Sequence, residues 1–569
     1  MYLTRYSILV VLFSLFLFSC RSIEYERSVD YSDDLSVLCE VDKAKEKLKK
    51  AEVLEALSIA KNLILNRQDI EQVAQLYTEA LHSAKVALNA EIEKGDIEKA
   101  ILILSSILVC EPQFCDVDMA RLQGEFQASL HNKHPILSSY LLSSSNVFKS
   151  SYFCSATIAS TIEEAIDATI TVFVDRGIKV EKGLGYSDVV LGSGFFIDEY
   201  GYIITNYHVI QSEVDPKYEG YSKLYIKNLN GSKEKIPAKV IGYDPLLDLA
   251  LLKASVKPKY ILQLGSSKNL KVGSKIYAIG SPLGLERTIT SGIVSSTNRK
   301  LLPLVDVIQL DAAINHGSSG GPIVNAEKKD VEAIVFAGVT RTQGLNFAIP
   351  VEVLKSILPS LYKGGERSHA WLSGFGKDVS DDIENVEGCP VHHGVMASYI
   401  MPQGSLAKTY LVENAVITHL NDVNIDDMAS LKMMLLDKKV GQIVKVKAQL
   451  LEGDVWREKE YYPLLQKRPQ FPAGQIHKKD TLKRSLLPFF GINLEYSGSR
   501  RYYRVKDVIP NSYGDEAGFT KNDYMEIRHI TFNADSGAVE ALFYVKKLKT
   551  AYIESFLGAT TYADNPGYF

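Results

Sequence analysis

Residues 189–205 read Val189-Val190-Leu191-Gly192-Ser193-Gly194-Phe195-Phe196-Ile197-Asp198-Glu199-Tyr200-Gly201-Tyr202-Ile203-Ile204-Thr205. Two apolar, β-branched runs flank Asp198-Glu199-Tyr200-Gly201, a pattern that predicts a β-hairpin. The same texture begins near Ala165 and extends on both sides. Thr169 to Val174 lies upstream, and Lys239 to Tyr243 and Lys275 to Ile279 lie downstream. Short strands at regular spacing, separated by turn residues, predict a β-barrel or sandwich.

N-terminal to this region the period changes. Val53, Leu57, Ala60 and Ile64 recur at helical spacing, as do Ile70, Val73, Tyr77 and Leu81. Gly95-Asp96 interrupts the pattern, and Ile97, Ile101 and Leu104 resume it. Residues 40–132 are therefore expected to form a domain of helix hairpins. Gly95 to Ala100 resembles the start of a tetratricopeptide-type pair, without the full repeat signature. A spacer or assembly module is its plainest role.

At the N-terminus, Arg5 precedes an apolar run from Ile8 to Phe18. That run is too short for a bilayer span, which takes about 20 residues. It fits a secretory signal peptide over residues 1–19. Leu17-Phe18-Ser19-Cys20 resembles a relaxed bacterial lipobox, which implies lipidation of Cys20 and a membrane anchor. Phe18 stands where a smaller residue is usual, and a plain secretory peptide is the alternative. The six cysteines (Cys20, Cys39, Cys110, Cys115, Cys154 and Cys389) are sparse and lack metal-ligand spacing. Cys110 and Cys115 could form one local disulfide in an oxidising compartment, or stay as two buried thiols. The 569 residues are 46% hydrophobic and 23% charged, an ordinary globular composition. Such a length suggests roughly three to four domains. A net charge of −4 gives no reason to expect nucleic-acid binding.

Chemistry concentrates in three places. Asn315-His316-Gly317-Ser318-Ser319-Gly320-Gly321-Pro322 sets a serine among glycines. Such glycines let backbone N–H groups converge beside a nucleophile as an oxyanion hole, here Gly317 and Ser319, with the Ser318 amide a further donor. Serine needs a base, since its hydroxyl is a poor nucleophile at neutral pH. His208, in Thr205-Asn206-Tyr207-His208, follows a predicted strand. A base needs a carboxylate to fix its tautomer. Asp248, in Leu247-Asp248-Leu249-Ala250, is an acid in an apolar run, a costly placement unless it is paired. Taken singly, each has a plain structural explanation. Their order, His then Asp then Ser, is that of the chymotrypsin fold and not of subtilisins or α/β-hydrolases. Asp244 precedes Pro245 and reads as a turn residue. His316 shares the nucleophile's own loop and is set aside as a base.

Further motifs make the pattern specific. Gly192-Ser193-Gly194-Phe195-Phe196-Ile197, Asp248-Leu249-Ala250-Leu251-Leu252-Lys253 and Ala278-Ile279-Gly280-Ser281-Pro282-Leu283-Gly284 resemble the HtrA/Deg family of serine proteases. So do Thr290-Ser291-Gly292-Ile293-Val294-Ser295, Asp311-Ala312-Ala313-Ile314-Asn315 and Asn346-Phe347-Ala348-Ile349-Pro350. The resemblance implies a chymotrypsin-like double barrel over 160–362, a His208-Asp248-Ser319 triad and no cofactor. It also implies a trimer or a multiple of one, and Val339 to Gly344 bordering the specificity pocket. His316-Gly317-Ser318-Ser319 replaces the usual Pro-Gly-Asn-Ser, and the regulatory loop near Asn298 to Val305 is shorter than usual.

Downstream, Trp371-Leu372-Ser373-Gly374-Phe375 resembles the peptide-carboxylate loop and strand of bacterial PDZ modules, with Met428 to Leu436 as the groove helix. An α+β PDZ domain is expected over 369–467, with peptide C-termini reaching Leu372, Ser373, Gly374 and Phe375. Asn414-Ala415 replaces the usual Gly-Asp. A second PDZ-like domain is expected over 485–569, opening on Phe489-Phe490-Gly491-Ile492. The whole predicts a periplasmic, lipid-anchored endopeptidase for misfolded or mislocalised envelope proteins. The alternative is a non-catalytic, chaperone-like lipoprotein that binds unfolded chains through PDZ and helical surfaces.

Overall fold

The hairpin at 189–205 closes through its turn chemistry. Asp198 accepts hydrogen bonds from the Tyr200 and Tyr202 amides at 2.9 and 3.0 Å. Gly201 adopts φ +85°, and a side chain there would meet the Ala254 carbonyl, so glycine is required. The structure is a computed structural model that describes Tyr31, 33–125 and 156–569, except 219, 221, 228–233, 281–287, 339–344, 380–388, 499–501, 511, 534–536, 549–551 and 563. The expected signal peptide, Cys20, Cys154 and Val339 to Gly344 lie outside the described residues.

The hairpin belongs to a six-stranded closed sheet. Its strands are β1 (Thr169–Glu181), β2 (Leu184–Phe196), β3 (Tyr202–Thr205), β4 (Lys223–Lys227), β5 (Ile236–Asp244) and β6 (Leu249–Ala254). They run in the order β5-β4-β1-β2-β3-β6, and β5 pairs β6 to close the barrel. A second closed barrel follows from β7 (Lys275–Gly280), β8 (Thr288–Arg299), β9 (Val307–Leu310), β10 (Pro322–Asn325), β11 (Val331–Gly338) and β12 (Asn346–Pro350), in the order β8-β9-β12-β11-β10-β7. Each barrel has its own apolar filling: Val172, Phe196 and Leu252 in the first, Ile276, Val294 and Ile323 in the second. Phe195, Leu251 and Ile279 form the seam between them with the Val351–Lys363 helix. This is the chymotrypsin-like double barrel.

Two β modules follow. The first has the sheet order β13 (Gly374–Asp378), β14 (Val395–Ile400), β15 (Val416–Leu420), β16 (Val446–Glu452) and β17 (Val455–Tyr461), with the Met428–Leu436 helix beside it. The second is an antiparallel sheet of β18 (Ile492–Tyr496), β19 (Tyr503–Val508), β20 (Tyr524–Asn533), β21 (Ala538–Leu548) and β22 (Tyr552–Tyr562). Asn533 pairs with Ala538, so only residues 534–537 separate the paired ends of β20 and β21. The first module places its helix at the corresponding point of the chain.

Among the described residues, the N-terminal domain is built on the helices Asp34–Lys49, Val53–Asn66, Glu71–Lys94 and Ile97–Cys110. Gly95 ends the third at φ +74°, and the Asp96 carboxylate caps the fourth by accepting from the Lys99 amide at 3.1 Å. This domain is no loose spacer. Asn62 Oδ1 accepts from the Tyr462 amide at 2.9 Å, Ser58 Oγ donates to the Tyr462 carbonyl at 2.6 Å, and Ile443 and Tyr462 join the helical core. The Cys110–Cys115 disulfide does not form: Cys110 is buried, Cys115 is exposed, and both are free thiols.

Candidate active site

The site lies where the two barrels meet. Strand β3 ends at Thr205, and the chain turns at Asn206 into the Tyr207–Val214 helix, which carries His208 on its first turn. Asp248 sits in the turn just before β6 rather than within the strand, at φ +54°. That left-handed backbone is uncommon for a residue with a side chain and concentrates at functional sites. It is held there by its neighbours: the Asp248 carbonyl accepts from Asn206 Nδ2 at 2.9 Å and from the Tyr207 amide at 3.2 Å.

Both carboxylate oxygens of Asp248 engage His208. Oδ1 accepts from the His208 amide at 2.8 Å, and Oδ2 lies 2.7 Å from Nδ1. The carboxylate is 9% exposed and acceptor-only when ionised, so the ring proton belongs on Nδ1 and Nε2 is left bare. Burial works to lower the imidazole pKa, but the Asp248 hydrogen bond and charge outweigh it and hold it above its ordinary value.

The serine loop comes from the second barrel, just before β10. The Ser318 amide donates to the Asn315 carbonyl at 3.0 Å, and Gly317 takes φ +97°. Among the described residues, the Gly317 and Ser319 amides have no acceptor within the protein. Ser318 was expected to contribute a donor as well. It does not, because its N–H is spent closing this turn. His316 is exposed on the same loop. No hydrogen bond joins Ser319 Oγ to His208 among the described residues.

Ser193, whose contacts composition and spacing did not reveal, fastens this loop to the first barrel and is itself held by Thr205. Ser193 Oγ donates to the Gly317 carbonyl at 2.6 Å, and the Ser193 amide donates to the Ser319 carbonyl at 2.7 Å. Thr205 Oγ1 donates to the Ser193 carbonyl at 2.7 Å. Gly320, at φ +84°, lies so close that an added Cβ would fall 2.4 Å from the Ser193 carbonyl and from Thr205 Oγ1. Beside Ser318 a small pocket is lined by Ala278, Gly280, Thr288, Thr290, Ala313 and Asn315.

Asp244, four residues before Asp248, belongs to a different constellation. It is fully buried and lies 2.9 Å from His369 Nε2 and 3.5 Å from Arg367 Nη1. Burial alone would raise its pKa, but His369 and Arg367 hold it below the usual carboxylate range. Burial lowers the His369 pKa despite Asp244, and Arg367 adds a permanent positive charge beside the carboxylate. The expected turn role is only part of the account: Asp244 accepts from the Leu246 and Leu247 amides and also clamps the linker after the barrel.

Two closed barrels with a His–Asp pair on one and a glycine-framed serine on the other define a chymotrypsin-like serine peptidase domain. Residues 192–334 match the trypsin-like peptidase domain family, and residues 473–563 match the TP0546 family PDZ domain. A probable periplasmic serine endoprotease, DegP-like, from Marinomonas sp. (strain MWYL1) is 35% identical over 261 residues, 45% of this chain and 54% of that protein. One from Rickettsia conorii is 37% identical over 268 residues, 46% of this chain and 51% of that protein. The chain thus spans about half the length of the curated relatives it matches. Among solved structures, the HtrA-type protease AlgW with a tripeptide is 26% identical with a TM-score of 0.45, covering 54% of this chain and 98% of that one.

Proposed function

We propose that the chain is a serine endopeptidase of the HtrA type, working by an acyl-enzyme route. His208 Nε2 takes the proton from Ser319 Oγ, which attacks the scissile carbonyl. Asp248 fixes the Nδ1 tautomer and stabilises the imidazolium that forms. The Gly317 and Ser319 amides receive the developing oxyanion. The observation that carries this reading is the two-point grip of Asp248 on His208, near a serine loop whose Gly317 and Ser319 amides are unspent. A His208–Ser319 hydrogen bond forms as substrate loads, since catalytic hydrogen bonds commonly tighten only in the substrate complex. Among the described residues, Ala278, Ala313 and two threonines line the adjoining pocket without a charged group, which supports small apolar side chains at the cleaved position.

By analogy with the DegP-like relatives, the enzyme works in the periplasm on unfolded or misfolded envelope proteins, and assembles as a homotrimer or a multiple of it. Lipidation of Cys20 tethers it to a membrane. Diacylglycerol on Cys20 by mass spectrometry is the expected result, and an unmodified cleaved N-terminus would remove the anchor. The peptidase is tested with unfolded casein and a fluorophosphonate probe. The parent should degrade casein and take the label, and Ser319→Ala should do neither. Equal casein loss in both proteins, or no Ser319-dependent label, overturns the peptidase in favour of a binding lipoprotein.

A further inference from the structure

The first module's peptide edge is already filled by this chain. Residues 565–569, Asn565-Pro566-Gly567-Tyr568-Phe569, leave the second module and run antiparallel beside β13. The Phe569 amide donates to the Gly374 carbonyl at 3.0 Å, and the Gly374 amide donates back to Phe569 O at 3.0 Å. Two residues on, the Gly376 amide donates to the Gly567 carbonyl at 2.9 Å. This alternate pairing is that of an added strand, with every second side chain directed into the sheet's groove.

The side chains fit the same description. Phe569, 1% exposed, belongs to the apolar cluster that includes Leu372, Leu431 and Leu435, and lines one small cavity with Lys432 and Leu435 of the Met428–Leu436 helix. Its ring lies where a side chain on Gly374 would go, with 2.5 Å to an added Cβ. Tyr568 stacks edge-on against Phe375 at 5.3 Å, on the opposite face. Gly567 passes so near Phe375 that an added Cβ would lie 2.3 Å from its ring. Upstream, Asp564 is held by the buried Arg468 guanidinium through two bonds of 2.8 and 2.5 Å. Lys432, on the groove helix, donates to the Pro566 carbonyl and, at 2.8 Å, to the Pro303 carbonyl of the second barrel. In the second module Asn533 pairs with Ala538, which leaves only residues 534–537 between β20 and β21, too few for a helix of this length.

We propose that residues 565–569 are an intramolecular ligand of the first module's groove, which admits an outside peptide ending in the same Gly-Tyr-Phe pattern only when this segment is displaced. A tethered ligand acts at high effective concentration, so it weakens competing peptides by about tenfold or more. The readout is binding, so it stands apart from whether Ser319 cleaves.

The probe is a fluorescein-labelled hexapeptide, Asp-Asn-Pro-Gly-Tyr-Phe, followed by anisotropy with full-length protein. Gly567→Val sets a branched side chain against Phe375, and Phe569→Asp places a charge in the apolar pocket. Both should bind the probe at least about tenfold more tightly than the parent. Equal affinity for parent and variants overturns the proposal. So does a failure of both variants to bind while they melt like the parent, since the segment is then only a structural strap. Should either variant unfold, the unmodified parent decides by hydrogen exchange. Saturating hexapeptide should speed exchange of the 567–569 amides, and unchanged protection overturns the proposal.

Discussion

At His208 the imidazole is gripped by one carboxylate at two points, and this sets the pH response of the site. Cleavage needs the neutral ring, and Asp248 holds the ring's pKa above its ordinary value. The rate should therefore rise with pH through an inflection above about 6.5, the reference value for histidine. Asp248→Asn should move that inflection down and cut kcat about ten-thousandfold by favouring the wrong tautomer. A pH–rate profile of a fluorogenic peptide for both proteins checks the shift and the loss together. The neighbouring acid gives the control. Asp244→Asn removes the countercharge of the buried Arg367, and breaking a buried pair this way costs about 3–5 kcal/mol. It should lower the denaturant midpoint while leaving fluorophosphonate labelling of the folded protein intact. His208 and Asp248 were legible because order and motif left few alternatives. Asp244 was only half legible: Pro245 announced a turn, but nothing near it in sequence announces His369, which the fold brings in from beyond the barrel.

The elements that hold the serine loop were visible as strands but silent about their contacts. Ser193 lies within the hairpin that reveals the barrel, yet its hydroxyl reaches the Gly317 carbonyl only once both barrels have closed. Gly320 shows how tight that junction is. Gly320→Ala would demand a left-handed backbone and push Cβ to 2.4 Å from two oxygens, so the loop must shift. Misplacement of a nucleophile by about 1 Å costs on the order of a hundredfold in rate. Gly320→Ala should therefore lose about that much of kcat/KM, measured on the same peptide. A conservative Ser193→Thr, which keeps the hydroxyl, should be closer to the parent than Ser193→Ala. The modules after the barrel follow the same logic. In the first, the strand after the Trp371 to Ser373 loop and the Met428–Leu436 helix were legible from their resemblance to PDZ modules. The occupant of its edge was not, because Pro566-Gly567-Tyr568-Phe569 has no strand periodicity and pairs only through a backbone laid beside it.

Across the whole molecule, contacts of this kind fasten the helical domain, the barrels and both modules together. Glu98 bonds to Lys363 at the end of the barrel helix at 2.7 Å and to Lys439 of the first module at 2.5 Å. Helical periodicity showed that the N-terminal domain exists, whereas its docking rests on Ser58, Asn62 and Ser106, polar residues with no periodic signature. Lys432 is the junction of greatest consequence, since one ammonium lies between the groove helix, the barrel loop at Pro303 and the 565–569 segment. Burial first, then the positive charges of Arg468 and Lys300, push its pKa down to about 7, against the pull of Asp306 and Asp564. In the unfolded chain the same amine titrates near about 10.4. Below pH 7 it is protonated in both states and the burial penalty is fully present. Between about pH 7 and 10 the unfolded chain holds a proton that the folded chain has released, so stability rises with pH, by at most about 1.4 kcal/mol per pH unit from this group. Lys432→Met keeps the stem packed and deletes the titration. Denaturant unfolding of parent and variant at pH 7, 8 and 9 should show the parent gaining on the variant as pH rises, and parallel curves would mean that Lys432 stays charged in its buried seat.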